Sequence, residues 1–186
     1  MKRLTILMTM LIAASGWAYD ELDLIEFMAT NTCEGCDLSG ADLKNGEFSS
    51  AKLARANLKG ADLSQSNFSD AELEQANLED TLLVMTDLSD ANLSKANLQN
   101  AYLYLTNFRF ADLEEANLKN SIPNGANFSF AKLGGANLAN IDFTENSPSN
   151  FKNVKFEGFY NKDLKAIFCR TKMPWGELND GCFGEY

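Results

Sequence analysis

Histidine is absent from all 186 residues. Its absence removes the usual proton shuttle and most nucleophile–base pairings, which need imidazole to activate a hydroxyl or thiol. No glycine-rich loop joins a strand to a helix in the way that cradles phosphate. Membrane-spanning length is lacking too. The apolar stretch from Leu4 to Ala14 is too short for a bilayer, which takes about 20 residues. It follows Lys2 and Arg3 and precedes small residues, with Gly16-Trp17-Ala18 as a cleavage signal. That is the layout of a secretory signal peptide. No cysteine lies near the cleavage point, which argues against a lipid anchor. Removing residues 1–18 deletes two bases and no acid, taking the net charge from −10 to −12. The expected product is exported, acidic and not membrane-inserted. It belongs in a periplasm, or in a thylakoid lumen if the source is photosynthetic, where cysteines are free to oxidise.

What the chain does contain is a repeat of five. From residue 36 to residue 140 it reads CDLSG, ADLKN, GEFSS, AKLAR, ANLKG and onward to ANLAN. Of the 21 central positions from Leu38 to Leu138, 16 are Leu, four are Phe and one is Pro123. Two residues before each centre stands a small side chain, Ala at 14 of the 21. A helix turns roughly 140° per five residues and scatters such leucines around its surface. A straight strand sends them to alternate faces, because five is odd. Both conflicts disappear if the chain bends once per repeat, so that four repeats close a square coil of 20 residues.

The repeat resembles that of the pentapeptide-repeat family. The resemblance implies an all-β fold, a right-handed quadrilateral β-helix acting as a rod-like solenoid. Residues 20 apart should then stack. Leu38, Leu58, Leu78, Leu98, Leu118 and Leu138 form one column, accompanied outside by Asp37 and Asn57 to Asn137. Phe48, Phe68, Leu88, Phe108 and Phe128 form another. The ends need covering. A short capping helix is expected from about Asp20 to Ala29, with Leu22, Ile25, Phe27 and Met28 apolar. After Pro148 the five-residue spacing returns as Phe151–Phe156 and Phe168–Met173, which points to one or two irregular coils and a loop cap. The expected organisation is signal peptide 1–18, capping helix 19–32, solenoid 33–145, and a degenerate coil with a disulfide-stapled C-terminal cap 146–186.

The segments TCEGCDLSGADL and AIFCRTKMPWGELNDGC look like end sequences of exported and cyanobacterial members of that family. Cys33-x-x-Cys36 admits a redox or metal reading, but no thioredoxin-like βαβ pattern surrounds it. Both thiols occupy inward positions, and Cys169 and Cys182 lie about five coils away, on the order of 25–30 Å. A four-cysteine zinc site is therefore excluded by the coil geometry. The expected pairs are Cys33–Cys36 and Cys169–Cys182.

No catalytic, cofactor-binding or metal site is assigned. Glu79-Asp80 and Glu114-Glu115 fall on outward corners, where solvated acids belong, and Gly134-Gly135 is a repeat corner. The resemblance raises DNA mimicry, since some members of the family inhibit gyrase by presenting an acidic rod. Residues 34–140 hold 15 acids and eight bases, and the bases interrupt every side. Acidity also disfavours direct nucleic-acid binding. Inhibition of a nucleic-acid-processing enzyme by an acidic mimic is thus the alternative reading.

One side departs from the polar exterior. In AYLYLTNF, Leu103 is central and Tyr102, Tyr104 and Leu105 face out. Leu82, Val84 and Met85 stand one coil before, and Ile122 one coil after. These seven form an apolar patch of several hundred Å². Its two readings are a contact surface, for a protein partner or a second copy, and a seat for the chain's own Phe151, Phe156, Phe159 and Tyr160.

Overall fold

Each pentapeptide is a three-residue extended piece followed by a two-residue turn, and this is how an odd period keeps one face inward. The small residue and the centre point in while the residue between them points out, as in any strand. The turn then rotates the chain by one side of the square. The computed structural model describes residues 19–141 and the strands β1 (Thr171–Met173) and β2 (Gly176–Leu178). Within 19–141, parallel bridges join residues 20 apart, from Thr32↔Lys52 to Asn117↔Asn137. Leu38, Leu58, Leu78, Leu98, Leu118 and Leu138 are fully buried. In the phenylalanine column, Phe48 meets Phe68 at 5.0 Å between ring centres and Phe108 meets Phe128 at 5.0 Å.

Backbone accounting explains the residue choices at the rim. In the repeat Ala56–Gly60, Asn57 N–H donates back to Cys36 O, while Leu58 and Gly60 N–H donate forward to Asn77 and Glu79 O. The next repeat's Ala61 N–H closes the turn onto Leu58 O. That leaves the first turn residue, and its N–H donates to the preceding Asn or Asp side chain, as Lys59 N does to Asn57 Oδ1 at 3.3 Å. The same Asn side chains chain coil to coil, Asn77 Nδ2 to Asn57 Oδ1 at 3.1 Å and Asn97 Nδ2 to Asn77 Oδ1 at 3.2 Å. Asn and Asp recur at this position because one amide serves a turn and a ladder at once. The second turn residue sits at φ near +60°, even where it is Arg55, Met85 or Leu105. Glycine is not required there, and each such residue costs about 1 kcal/mol that the ladder offsets.

Eight inward side chains per coil, four centres and four small residues, fill the interior, and the small positions tune the fit. Buried Thr86 and Thr106 donate their hydroxyls to Leu63 O at 2.8 Å and Leu83 O at 2.7 Å. Gly46 has a separate cause. A Cβ there would fall on the Phe48 ring, which occupies the space that alanine fills in other repeats. Gly46→Ala is expected to displace that ring and lower stability by about 1–3 kcal/mol. A urea titration of the two proteins measures the difference.

A helix, α1 (Glu21–Thr30), lies against the first coil. Asp20 caps it, its side chain accepting from Leu22 N and Asp23 N. Two reciprocal contacts fasten the helix, Asp20 N–H to Asp37 O at 3.0 Å and Asp37 N–H to Asp23 Oδ2 at 2.8 Å. Phe27 is fully buried and its ring continues the phenylalanine column, 4.9 Å from Phe48. Leu22, Ile25 and Met28 instead remain exposed, at 76, 55 and 61%. The face turned to the rod is Asp23, Leu24 and Phe27, spaced three and four apart, so the apolar content of this helix overstates its buried face.

β1 and β2 pair antiparallel, Thr171 with Leu178 and Met173 with Gly176. Only two residues separate them, so the two strands form a tight hairpin. Residues 1–18, the Phe151–Phe156 spacing and the Cys169–Cys182 pairing lie outside the described residues.

Candidate functional site

The patch is built by the second side of the square. Parallel bridges align Asp42, Asp62, Leu82, Tyr102 and Ile122 up that side. Backbone bonds from Leu83 N to Tyr102 O and from Met85 N to Tyr104 O, both 2.8 Å, bring the remaining members into neighbouring rows. Leu82, Met85, Tyr102, Tyr104, Leu105 and Ile122 are 41, 55, 46, 41, 42 and 37% exposed, and Val84 is half-buried. All seven residues expected from the sequence therefore come together across three coils. The first two coils of the same side are polar, with Lys44 bridging Asp42 at 3.2 Å and Asp62 at 3.6 Å.

The patch displaces a structural device. Leu82, Tyr102 and Ile122 stand where Asn or Asp caps the turn in most repeats, Glu47, Lys52, Glu72 and Lys132 being the other departures. The N–H groups of Val84, Tyr104 and Asn124 have no side-chain acceptor among the described residues, whereas Lys44 N and Ser64 N have Asp42 and Asp62 on the same side. Each omission forgoes a turn hydrogen bond worth on the order of 1 kcal/mol. Sequence reading located the patch but not this cost, which is visible only once the turn residues' N–H groups are accounted for.

One corner further on, Phe110 and Phe130 stack at 4.8 Å, and the Arg109 guanidinium lies 4.4 Å above the Phe110 ring. This cation over two aromatic faces was not legible from the repeat pattern.

Several cations on the rod pair with acids of their own or a neighbouring coil. Lys59 bridges Glu79 at 3.0 Å, Lys132 bridges Asp112 at 2.8 Å and Arg55 bridges Glu34 at 3.5 Å, each tying one coil to the next. Hydrogen bonds to Asp42, Glu79 and Asp112 hold the Lys44, Lys59 and Lys132 ammonium groups above their ordinary pKa, so all three stay charged at neutral pH. The result is a mosaic rather than a continuous anionic stripe.

Cys33 and Cys36 form a disulfide with Cα atoms 5.5 Å apart. With Asp23 they form a cluster whose ligand atoms lie within 4.8 Å of one another. Asp23 arrives from α1 and was not foreseen in the sequence. No helix among the described residues is long and apolar enough to cross a membrane.

Comparison with known proteins agrees with the repeat geometry. Family models described as the pentapeptide repeat region and pentapeptide repeats match residues 31–108 and 51–128, and residues 124–159. No curated protein matches the chain. Among solved structures, HetL, a pentapeptide repeat protein involved in heterocyst differentiation regulation in the cyanobacterium Nostoc sp. strain PCC 7120, is 18% identical. That match covers 83% of this chain and 97% of HetL, with a TM-score of 0.30. A pentapeptide repeat protein from the Arabidopsis thaliana thylakoid lumen is 28% identical over 56% of this chain and 70% of its own, TM-score 0.32. QnrB1, a plasmid-mediated fluoroquinolone resistance protein, is 25% identical over 67% of this chain and 74% of its own, TM-score 0.32. The chain belongs to the pentapeptide-repeat family, whose fold is the right-handed β-helix.

Proposed function

We propose that this protein is an exported, non-catalytic interaction module that binds protein through the apolar patch on its second side. The observation that supports the reading is the exchange made at Leu82, Tyr102 and Ile122. Three successive coils replace the turn caps that Asp42 and Asp62 supply on the same side with exposed apolar side chains. Packing alone supplies no motive for that exchange, since these side chains are exposed.

A second copy of the chain is the first partner to test. The patch carries no charge in a chain of net charge −10, so a face-to-face contact brings no like charges to its centre. Two patches of several hundred Å² approach the roughly 1,000 Å² that a specific interface needs. The reading includes residues 1–18 as a cleaved export signal, which fits the short apolar run and its small-residue end.

The alternative, an acidic mimic of nucleic acid, is disfavoured by the coil-to-coil ion pairs. Salt separates the two classes. Association through the patch should hold or tighten as salt rises from about 0.1 to 1 M, because the Debye length falls from about 10 to 3 Å while apolar burial is unaffected. Binding by an acidic mimic should weaken steeply over that range. Sedimentation of the purified protein at both salt concentrations reads the first. Inhibition of a topoisomerase that vanishes with salt would support the second.

A further inference from the structure

We infer that Asp23, Cys33 and Cys36 form a metal site for a thiophilic divalent cation, zinc above all, which opens when the Cys33–Cys36 disulfide is reduced. The inference rests on this cluster at the rod's N-terminal end and is independent of the patch.

Three features converge there. The two sulfurs and the Asp23 carboxylate already lie within 4.8 Å of one another. Thiolates with two residues between them in sequence are a recurring half of tetrahedral zinc sites, with Zn–S near 2.3 Å and Zn–O near 2.0–2.2 Å. Asp23 is also held in place, because its Oδ2 accepts the Asp37 N–H at 2.8 Å and its carbonyl oxygen lies 3.3 Å from Cys33 Sγ. Among the described residues Oδ1 accepts no hydrogen bond, and it is the carboxylate atom offered to a cation. Cys33 is buried, while Cys36 and Asp23 are half-buried, so the cation approaches from their side. Three protein ligands leave the fourth tetrahedral position for water.

The chemistry balances. A dithiol reductant gives two electrons and two protons to the disulfide, becoming a disulfide itself and leaving two thiols in the protein. The cation then displaces both thiol protons and binds two thiolates and the Asp23 carboxylate. Two positive charges on the metal offset most of the three negative charges gathered there. Disulfide and metal are mutually exclusive occupants, and only the metal, through Asp23, ties α1 to the first coil.

Cobalt(II) reports directly on thiolate ligation. The purified protein, reduced with a phosphine, is titrated with Co²⁺ while the thiolate-to-metal charge-transfer absorbance is followed. The inference expects an equivalent of Co²⁺ that is absent in the oxidised protein and absent in Cys36→Ser. It also expects at least about tenfold weaker binding in Asp23→Asn, whose side-chain oxygen still accepts from Asp37 N–H. A second readout needs no variant: one equivalent of Zn²⁺ should slow alkylation of Cys36 in the reduced protein. Equal Co²⁺ uptake by the oxidised protein, unchanged affinity in Asp23→Asn, or alkylation indifferent to Zn²⁺ would each overturn it.

Discussion

A Leu98→Asp chain is expected not to form the native rod. Leu98 is fully buried in a column between Leu78 and Leu118, both fully buried themselves. Truncation to Ala at such a site already costs about 2–5 kcal/mol. An unpaired buried carboxylate adds several more, or forces the coil open to water. The total rivals the 5–15 kcal/mol that ordinarily separates folded from unfolded domains. A solenoid contacts only its neighbours, so the damaged coil also divides one stack into two short ones. Circular dichroism and a urea titration of wild type, Leu98→Ala and Leu98→Asp should show a graded loss ending in an unfolded protein. A Leu98→Asp protein with wild-type unfolding would mean that this column is not the core.

Phe27→Ala is expected to release α1 while leaving the rod folded. A ten-residue helix is marginal in water on its own. Here Leu22, Ile25 and Met28 are exposed, so docking rests mainly on Phe27, with Leu24 and Tyr19 partly packed beside it. Removing the ring forfeits about 3–5 kcal/mol of local stability. Amide exchange in residues 24–31 should accelerate on the order of 100-fold or more, at 1.4 kcal/mol per decade. Amides of distant coils, such as Leu93 and Leu98, should keep their protection because they never touch the helix. Uniform acceleration along the chain would show that the helix and rod unfold as one unit.

The core and the ladders were legible because they repeat. A five-residue period with a small residue two before each centre admits few backbones, and one bend per repeat is the one that buries every central Leu and Phe. Asn57 to Asn137 were readable as a stacked column, although their second task, capping turns, appears only when each N–H is followed to its acceptor. The patch was legible for the same reason, as an apolar run of Leu82, Tyr102 and Ile122 above Asp42 and Asp62 in the neighbouring column. Features that do not repeat were less readable. Composition alone does not reveal which face of α1 turns inward, because Leu22, Ile25 and Met28 are as apolar as Phe27. Asp23 joins Cys33 and Cys36 only through the angle at which the helix returns to the first coil, which no local pattern encodes. Gly46 looked like one more small residue, yet it answers to the ring of Phe48 beside it.

The most direct test of the patch is sedimentation equilibrium of wild type and of the Leu82→Asn/Tyr102→Asn/Ile122→Asn variant over a wide concentration range. These asparagines rebuild the cap-and-ladder arrangement seen from Asn57 to Asn117, so the variant should unfold no earlier than wild type. The account predicts a wild-type dimer that the variant loses. Wild type and variant sedimenting alike, as two equally stable monomers or two equal dimers, would contradict self-association through this side.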